Sequence, residues 1–236
     1  MEDSLKKLGV LLFAVLSVGL LASQAQAQGL TYGLKGGFNF SKQVLKSDYT
    51  DWDKTGLTLG TAGVFVNFRL GPVSIQPELL YTRKGVSWLY YEYEGYYTET
   101  SYFKCDSIEI PILVKYNLDF LKLPVTPYVI AGPAVSYLLN VRYGSAYEGN
   151  YDAGYWDYHY EYTDYYGDSG YFRRLSFSAI AGIGVSYKLP KYTLSLEARY
   201  DYGLTSISNS TMAEDDWWYI TSMKNRDLQV LFSIGF

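Results

Sequence analysis

Two long alternating segments, residues 175–187 and 192–204, limit the fold of this chain more than any other feature of its sequence. Apolar side chains occupy every second position, and small or polar side chains fill the positions between, with Ile180 as the one exception. A period of two is typical of β-strands and not of helices. The connection at residues 188–191 is short and contains Pro190. The sequence therefore predicts a β-hairpin with one apolar face and one polar face.

The apolar face of this hairpin has the height of a lipid bilayer. Each apolar stripe covers about ten residues, which at ~3.3 Å per residue and a strand tilt near 40° spans roughly 25 Å. Tyr187, Tyr192, Tyr200 and Tyr202 stand toward the ends of the stripes. Aromatic residues favour such positions because there a strand passes from acyl chains to head groups. The hairpin is therefore interpreted as part of the wall of a membrane barrel.

The same alternation recurs along the chain. Together with the hairpin it predicts eight strands, at about residues 30–40, 55–69, 73–84, 108–117, 125–141, 175–187, 192–204 and 228–236. Where the pattern is irregular we expect a bulge, near residues 60–63, and bulges or a weakly paired stretch around Pro127 and Pro133. The connections alternate between long and short, beginning with a long one. The expected fold is all-β: an eight-stranded antiparallel up-and-down transmembrane β-barrel with long extracellular loops and short periplasmic turns.

The amino terminus is predicted to be a removable targeting segment. Lys6 and Lys7 precede an apolar run at residues 8–22, and Ala25 and Ala27 provide small residues at a cleavage site. These features predict a secretory signal peptide at residues 1–27 and an outer-membrane β-barrel domain at residues 28–236. No later stretch has 18 consecutive apolar residues, so any membrane crossing there must be made by strands.

Composition excludes several other classes of function. The formal net charge of −4 argues against nucleic acid as a partner. The single cysteine, Cys105, has no partner for an internal disulfide and is interpreted as a wall or rim residue. His159 is the only histidine, and we interpret it as a solvated loop residue and not as part of a Ser/His/Asp site. Acidic groups at residues 48–53 and 214–216 do not match a calcium loop. We therefore expect no enzyme activity, cofactor or metal.

Charged residues on the polar side of the predicted strands are candidates for the barrel interior. An eight-stranded barrel has an interior about wide enough for side chains, so these charges would pack the lumen. We interpret them as a structural network of paired charges; a proton or ion path is the alternative. The residues are Lys35, Glu78, Glu109, Lys115, Glu197, Arg199 and Asp201.

Tyrosine is concentrated in the predicted loops. Residues 143–171 contain ten tyrosines and six acids but no Lys or Arg. Tyrosine offers a large rigid contact area and a hydroxyl, which suits recognition of a protein or glycan ligand. Tyrosine also favours strands, so these residues could instead extend the barrel strands as a projecting sheet. The candidate recognition residues are Tyr151, Tyr155, Trp156, Tyr158, Tyr160, Tyr162, Trp217 and Trp218.

Several short motifs are spread across the mature chain. They are Gly33-Leu34-Lys35-Gly36-Gly37 with Asn39, Gln76-Pro77-Glu78-Leu79-Leu80-Tyr81, Ile108-Glu109-Ile110-Pro111, Gly132-Pro133 and Glu197-Ala198-Arg199-Tyr200. These motifs resemble the PorT-type outer-membrane β-barrel family. The resemblance implies an eight-stranded barrel in the cell envelope of a gram-negative bacterium. It also implies that the final Phe236 is the carboxyl-terminal insertion signal read by the barrel-insertion machinery.

These observations predict a non-enzymatic outer-membrane protein with a structural or surface-recognition role. Its expected partners are outer-membrane lipid, lipopolysaccharide, the insertion machinery and a ligand at the loops. A component of a secretion or envelope-assembly system is one alternative, which the resemblance suggests. A small-solute porin is another, disfavoured by the number of strands. A soluble exported barrel remains open as well, because it would show the same alternation with its apolar face turned inward.

Overall fold

The computed structural model describes residues 29–47, 53–92, 97–121, 123–151, 154–162, 172–208 and 220–236. This part of the chain is almost entirely β-structure, with a three-residue 3-10 helix at Asp119–Leu121. No helix within it has both the length and the apolar character needed to cross a membrane. The predicted signal peptide lies outside the described residues. The strands are β1 (Leu30–Ser47), β2 (Asp53–Leu70), β3 (Val73–Glu92), β4 (Tyr97–Asn117), β5 (Thr126–Tyr151), β6 (Gly154–Tyr162), β7 (Leu175–Lys188), β8 (Thr193–Gly203) and β9 (Ile220–Gly235).

Eight of these strands close into an antiparallel barrel. Strands β1 to β5 pair in sequence order, β5 pairs with β7, and β7, β8 and β9 continue the sheet. The barrel closes where β9 pairs with β1, in a register that sets Leu34 opposite Ile234 and Asn39 opposite Gln229. The predicted eight-stranded up-and-down barrel is therefore confirmed. We call the end that carries the connection at residues 71–72 and the terminal Phe236 the turn end, and the opposite end the loop end.

At the loop end, strands continue where the sequence predicted loops. Strands β3 and β4 stay paired as far as Glu92 and Tyr97. Strand β5 leaves β7 after Tyr137 and pairs instead with β6, which the sequence analysis had placed inside the longest loop. The predicted loop bounds at about residues 86–104 and 143–171 are therefore corrected: residues 86–92, 97–104, 143–151 and 154–162 form a four-stranded extension, the projecting sheet.

Besides a register shift between Lys46 and Ser47 near the loop end of β1, two shifts interrupt the described strand pairings. One lies in the β2–β3 pairing between Gly56 and Thr61, close to the irregularity predicted at residues 60–63. The other lies in the β4–β5 pairing between Asp106 and Ser107. The register is continuous at Pro127 and Pro133, which pair with Val185 and Ala179 of β7. The prolines therefore cause no register shift against β7. The β4–β5 pairing skips Gly132 and Pro133, which fits the weakly paired stretch expected there, because a proline has no N–H to donate to the ladder.

The two faces of the wall are reversed relative to a soluble protein. Leu196 is 53% exposed and Phe232 is 52% exposed, whereas Glu197 and Arg199 are 2% and 1% exposed. Apolar side chains thus cover the outside of the barrel and charged side chains fill its inside. Such an arrangement is stable only where the surroundings are hydrocarbon, because water would leave this apolar surface uncovered. The alternative of a soluble barrel with an apolar interior is therefore wrong.

Candidate functional site

Four charged residues meet in the barrel interior near the turn end, and we call them the lower charge cluster. Lys35 Nζ lies 2.5 Å from Glu78 Oε1 and 3.3 Å from Glu197 Oε1. Arg199 Nη1 lies 2.7 Å from Glu78 Oε2 and 3.4 Å from Glu197 Oε1. Two bases face two acids, so the lower charge cluster is neutral. Each charge is compensated within the low-dielectric interior, which is the condition for burying it.

A second group, the upper charge cluster, lies closer to the loop end and is not balanced. The ammonium of Lys84 lies 2.8 Å from Glu109 Oε2 and 3.3 Å from Asp227 Oδ2, and it also pairs with Asp201 Oδ2. Three carboxylates thus share one cation. Within the described residues, no group of three or more His, Cys, Asp or Glu side chains could hold a metal ion. Lys84 is therefore the cation that holds these carboxylates together.

Uncharged side chains fix the orientation of the lower charge cluster. Gln76 Nε2 donates to Glu78 Oε1 at 2.7 Å, and Arg199 Nε donates to Gln229 Oε1 at 2.5 Å. The Tyr128 hydroxyl donates to Glu197 Oε2 at 3.1 Å. These bonds use further lone pairs and N–H groups of the buried ions, so the cluster has little freedom to rearrange.

The structure brings six of the seven predicted lumen residues into the two clusters. Lys115 is the exception, because it pairs with no carboxylate among the described residues. Its Nζ lies 3.6 Å from the ring centroid of Tyr128 and donates to Ser186 Oγ at 3.3 Å. The sequence analysis missed Lys84 and Asp227 as members. Both lie on the polar parity of their strands, Lys84 six positions from Glu78, so the same alternation rule would have found them.

Apolar side chains fill the lumen at the loop end, where the sequence analysis expected no core. We call these residues the mouth cluster. Trp88, Phe103 and Tyr143 stack there with ring centroids 5.1 to 6.3 Å apart. Cys105 is buried among them, which places it inside the barrel as a packing residue. The buried members of the mouth cluster are Val86, Trp88, Cys105, Val141, Ile207 and Met223.

The candidate recognition residues of the loops are only partly described. The backbone of Tyr151 ends β5, and Tyr155, Trp156, Tyr158, Tyr160 and Tyr162 belong to β6. His159 lies on β6 opposite Ala146 of β5. Trp217 and Trp218 lie outside the described residues, as do the acidic residues at 214–216 and most of those at 48–53. The described part of the tyrosine-rich segment, residues 143–151 and 154–162, thus lies on two hydrogen-bonded strands.

The terminal Phe236 lies at the seam of the barrel. Its backbone N–H donates to Tyr32 O at 2.8 Å and its carbonyl accepts from Tyr32 N at 3.3 Å. Its ring centroid lies 6.2 Å from that of Tyr32 and 5.5 Å from that of Tyr192. Phe236 is thus part of an aromatic belt at the turn end, and its role as an insertion signal remains a prediction.

Comparison with known proteins identifies the family of this barrel, whose apolar face is turned outward. The model of a family described as outer membrane protein beta-barrel domain matches residues 23–209. The chain belongs to this family. As a member of the outer membrane protein beta-barrel domain family, it is a protein of the outer membrane, which confirms the predicted location. The match is to this broad family and does not test the narrower PorT-type assignment.

Several solved structures are similar to this family member. Neisserial surface protein A is 14% identical, the match covers 89% of this chain and 98% of that chain, and the TM-score is 0.44. A major outer membrane protein from Thermus thermophilus is 11% identical, with 88% and 99% covered and a TM-score of 0.43. OprG from Pseudomonas aeruginosa is 12% identical, with 88% and 93% covered and a TM-score of 0.40. No curated protein matches the sequence.

Proposed function

We propose that this protein is a non-enzymatic surface-recognition protein that binds a protein or glycan through its projecting sheet. The observation that carries the proposal is the length of β5, which runs fourteen residues beyond its last pairing with β7 at Tyr137 and ends at Tyr151. From Tyr143 to Gly149, half of this length, β4 and β6 flank it on both sides. The aromatic residues are therefore carried by a hydrogen-bonded sheet, which loses less conformational entropy on binding than a free loop.

The direction of the projecting sheet supports this function. Outer-membrane barrels have short turns on the periplasmic side and long connections on the outside. The connection at residues 71–72 lies at the turn end, opposite the projecting sheet. By this rule the tyrosine-rich strands β5 and β6 extend away from the cell. A surface rich in Tyr, with few flexible cations, is the composition that recognition surfaces use.

The packed interior argues against the alternative of a small-solute porin. Two charge clusters and the mouth cluster follow one another along the lumen, so a solute would meet buried side chains at every level. Arg199 and Lys84 are among the largest fully buried side chains. Opening a path would break ion pairs in the interior, which is costly.

The alternative of a secretion or envelope-assembly component rests on the PorT-type motifs. Three of these motifs contribute Lys35, Glu78, and the pair Glu197 and Arg199. These four residues form the lower charge cluster. The motifs are thus explained by the requirements of the barrel interior, and an unrelated task would preserve them equally well. They support the architecture more than a role in secretion.

Excision of the outermost hairpin tests the recognition proposal. Ser145 and Tyr160 are opposite each other in the β5–β6 register, so residues 146–159 can be replaced by Asn-Gly, which suits a two-residue hairpin turn. A companion variant keeps the hairpin but changes Tyr155 and Tyr158 to Thr, which retains strand propensity. The probes are a glycan array and an array of extracellular proteins, each incubated with the refolded protein.

We expect the wild-type protein to bind a defined set of array positions and both variants to lose those signals. Both variants should retain heat-modifiable migration on a gel, which reports the closed barrel. Binding by both variants at the wild-type level, or no array binding by the wild-type protein, would contradict the proposal.

A further inference from the structure

Charged side chains replace the apolar ones on the outer face of the barrel at a fixed distance from the turn end. On four strands we count outward-facing residues from the turn end toward the loop end. On each of them the first charged residue comes ten positions after an outward-facing residue at the turn end. Ten residues of a tilted strand rise about 25 Å, which is the height of the apolar band of an outer-membrane barrel. These charges therefore begin where the hydrocarbon ends. The pairs of positions are Tyr32 and Lys42 on β1, Val73 and Arg83 on β3, Tyr116 and Asp106 on β4, and Phe236 and Arg226 at the end of the chain.

On β3, β4 and β5 these charges form a compact group, which we call the rim cluster: Arg83, Lys104, Asp106 and Arg142. Arg83 Nε lies 2.9 Å from Asp106 Oδ1, and Arg142 Nη2 lies 2.6 Å from Asp106 Oδ2. Lys104 is the register partner of Arg142 across β4 and β5. One carboxylate thus holds two guanidinium groups side by side on the outer face.

The positive charges of the rim cluster outnumber its negative charges. The side chains of Arg83 and Arg142 are 45% and 28% exposed, whereas that of Asp106 is 3% exposed. Lys104 Nζ lies 3.9 Å from the ring centroid of Tyr102 and pairs with no carboxylate in the described part of the chain. The guanidinium of Arg83 makes its described hydrogen bonds through Nε alone. Three cations and one acid leave an excess of two positive charges among the described residues, on two guanidinium side chains that are partly exposed.

We propose that the rim cluster binds a phosphate group of a lipid in the outer leaflet. A guanidinium matches phosphate oxygens with two parallel N–H groups, and two adjacent guanidiniums with an ammonium form a receptor for a doubly charged anion. Asp106 is the positioning residue that holds Arg83 and Arg142 together.

A lipid is favoured over a free phosphate because the rim cluster adjoins the lipid-facing wall. Leu79 and Tyr81 on β3 and Leu139 on β5 are exposed on the same outer face, next to Arg83 and Arg142. Acyl chains can lie along these side chains while the phosphate reaches the cations. In the outer leaflet the phosphorylated lipid is lipopolysaccharide, so its lipid A portion is the ligand we assign.

On the opposite side of the barrel, similar charges are already used. Arg226 Nη1 donates to Gly203 O at 2.7 Å and to Asn225 O at 2.8 Å. Its guanidinium carbon lies 3.5 Å from the ring centroid of Tyr202. These contacts fix Arg226 to its own wall, whereas Arg83 and Lys104 keep donors available. The rim cluster is therefore the site assigned, and the inference goes beyond recognition by the projecting sheet.

The test compares Arg83→Gln/Lys104→Gln with Lys188→Gln/Lys191→Gln, a control that removes the same charge at the turn end. Arg142 is kept in both variants so that Asp106 remains paired. The refolded proteins are titrated in detergent with bisphosphorylated lipid A, with dephosphorylated lipid A of the same acyl chains and with inorganic phosphate. Bound lipid is counted by native mass spectrometry, and heat-modifiable migration checks that each barrel is closed.

We expect the wild type and the control to bind bisphosphorylated lipid A at least about tenfold more tightly than the dephosphorylated form, because each charge-assisted hydrogen bond contributes ~1.5–3 kcal/mol. The rim variant should bind both forms equally. Equal binding of both forms by the wild type, or unchanged discrimination in the rim variant, would overturn the proposal. Displacement of lipid A by inorganic phosphate at equal concentration would also overturn it, in favour of a free-phosphate site. The hairpin excision should leave lipid binding unchanged, which separates this inference from the recognition proposal.

Discussion

Arg199 on β8 meets Glu78 on β3 across the barrel interior, with 2.7 Å between Nη1 and Oε2. The two strands are not neighbours, because β9, β1 and β2 lie between them in the sheet. Both side chains are fully buried. The ion pair therefore acts as a brace across the lumen, connecting parts of the wall that share no backbone hydrogen bond.

Removing one partner of the Arg199–Glu78 ion pair should lower the free energy of unfolding more than removing both partners. Arg199→Met leaves Glu78 and Glu197 with Lys35 as their only base at this level. We expect a loss of about 3–5 kcal/mol in the free energy of unfolding, the usual result of uncovering a buried charge. The double variant Arg199→Met/Glu78→Gln should recover part of this loss. Urea unfolding in lipid vesicles, followed by tryptophan fluorescence, measures the unfolding free energies of the single and the double variant. A double variant less stable than the single one would contradict the role of this ion pair as a brace.

The upper charge cluster should respond differently to removal of its base and of one acid. Lys84→Met removes the one cation shared by Glu109, Asp201 and Asp227 and should cost about 3–5 kcal/mol. Asp227→Asn should cost less than half as much, because two carboxylates and one ammonium are closer to neutrality. The same unfolding assay compares the two variants. Equal losses would show that the three carboxylates are not held by Lys84.

The cost of a charge on the outer face should depend on its depth. Leu196 and Leu204 both face outward, at the middle of the β8 face and just beyond its loop end. Leu196→Arg should cost about 2–4 kcal/mol, and Leu204→Arg about 0–1 kcal/mol. Unfolding free energies in vesicles of one lipid composition provide the comparison. Equal costs would mean that the apolar band does not lie in the membrane.

A methyl group added at Gly184 should disturb the lower charge cluster. A Cβ there would overlap the Tyr128 ring and lie 2.8 Å from the backbone oxygen of Leu196. Tyr128 would have to move and lose its bond to Glu197, so Gly184→Ala should cost about 1–3 kcal/mol. Gly60→Ala is the matched control, because nothing lies within 4 Å of a Cβ at that position. Equal stability of the two variants would contradict the packing described.

Because the lumen is packed with side chains, we expect the barrel not to conduct ions. In planar bilayers the wild-type protein should show no stable conductance steps, because the charge clusters and the mouth cluster occupy the lumen. Trp88→Gly removes the largest side chain of the mouth cluster but leaves both charge clusters in place, so it should also remain silent. Reproducible single-channel steps from the wild type would restore the porin alternative.

The period of two predicted which side chains face lipid and which face the lumen, because alternation is a local property of each strand. Leu196 and Glu197 illustrate this, since adjacent residues have opposite surroundings. The partners inside the lumen could not be predicted in the same way. Arg199 and Glu197 share a face of β8, yet the carboxylate closest to Arg199 is Glu78, which depends on how the closed barrel staggers its strands.

The bounds of the strands at the loop end could not be predicted for a different reason. Outside the membrane neither face of a strand is in contact with lipid, so the strands lack the apolar stripe that identifies the others. Val86 and Trp88 were assigned to a loop although they lie on β3 and point into the mouth cluster. Residues 154–162 alternate aromatic with polar side chains, which fits either a loop or the projecting sheet given above as the alternative. The pairing with β5 decides for the sheet.

The backbone hydrogen bonds between Tyr32 and Phe236 join the two ends of the barrel wall, so they form only when the barrel closes. The wall closes only once β9 is available to pair with β1, its first strand. Until then β1 and β9 each have an unpaired edge, and such edges are templates for pairing with other chains. Correct closure therefore depends on β1 and β9 meeting each other before either meets a foreign strand.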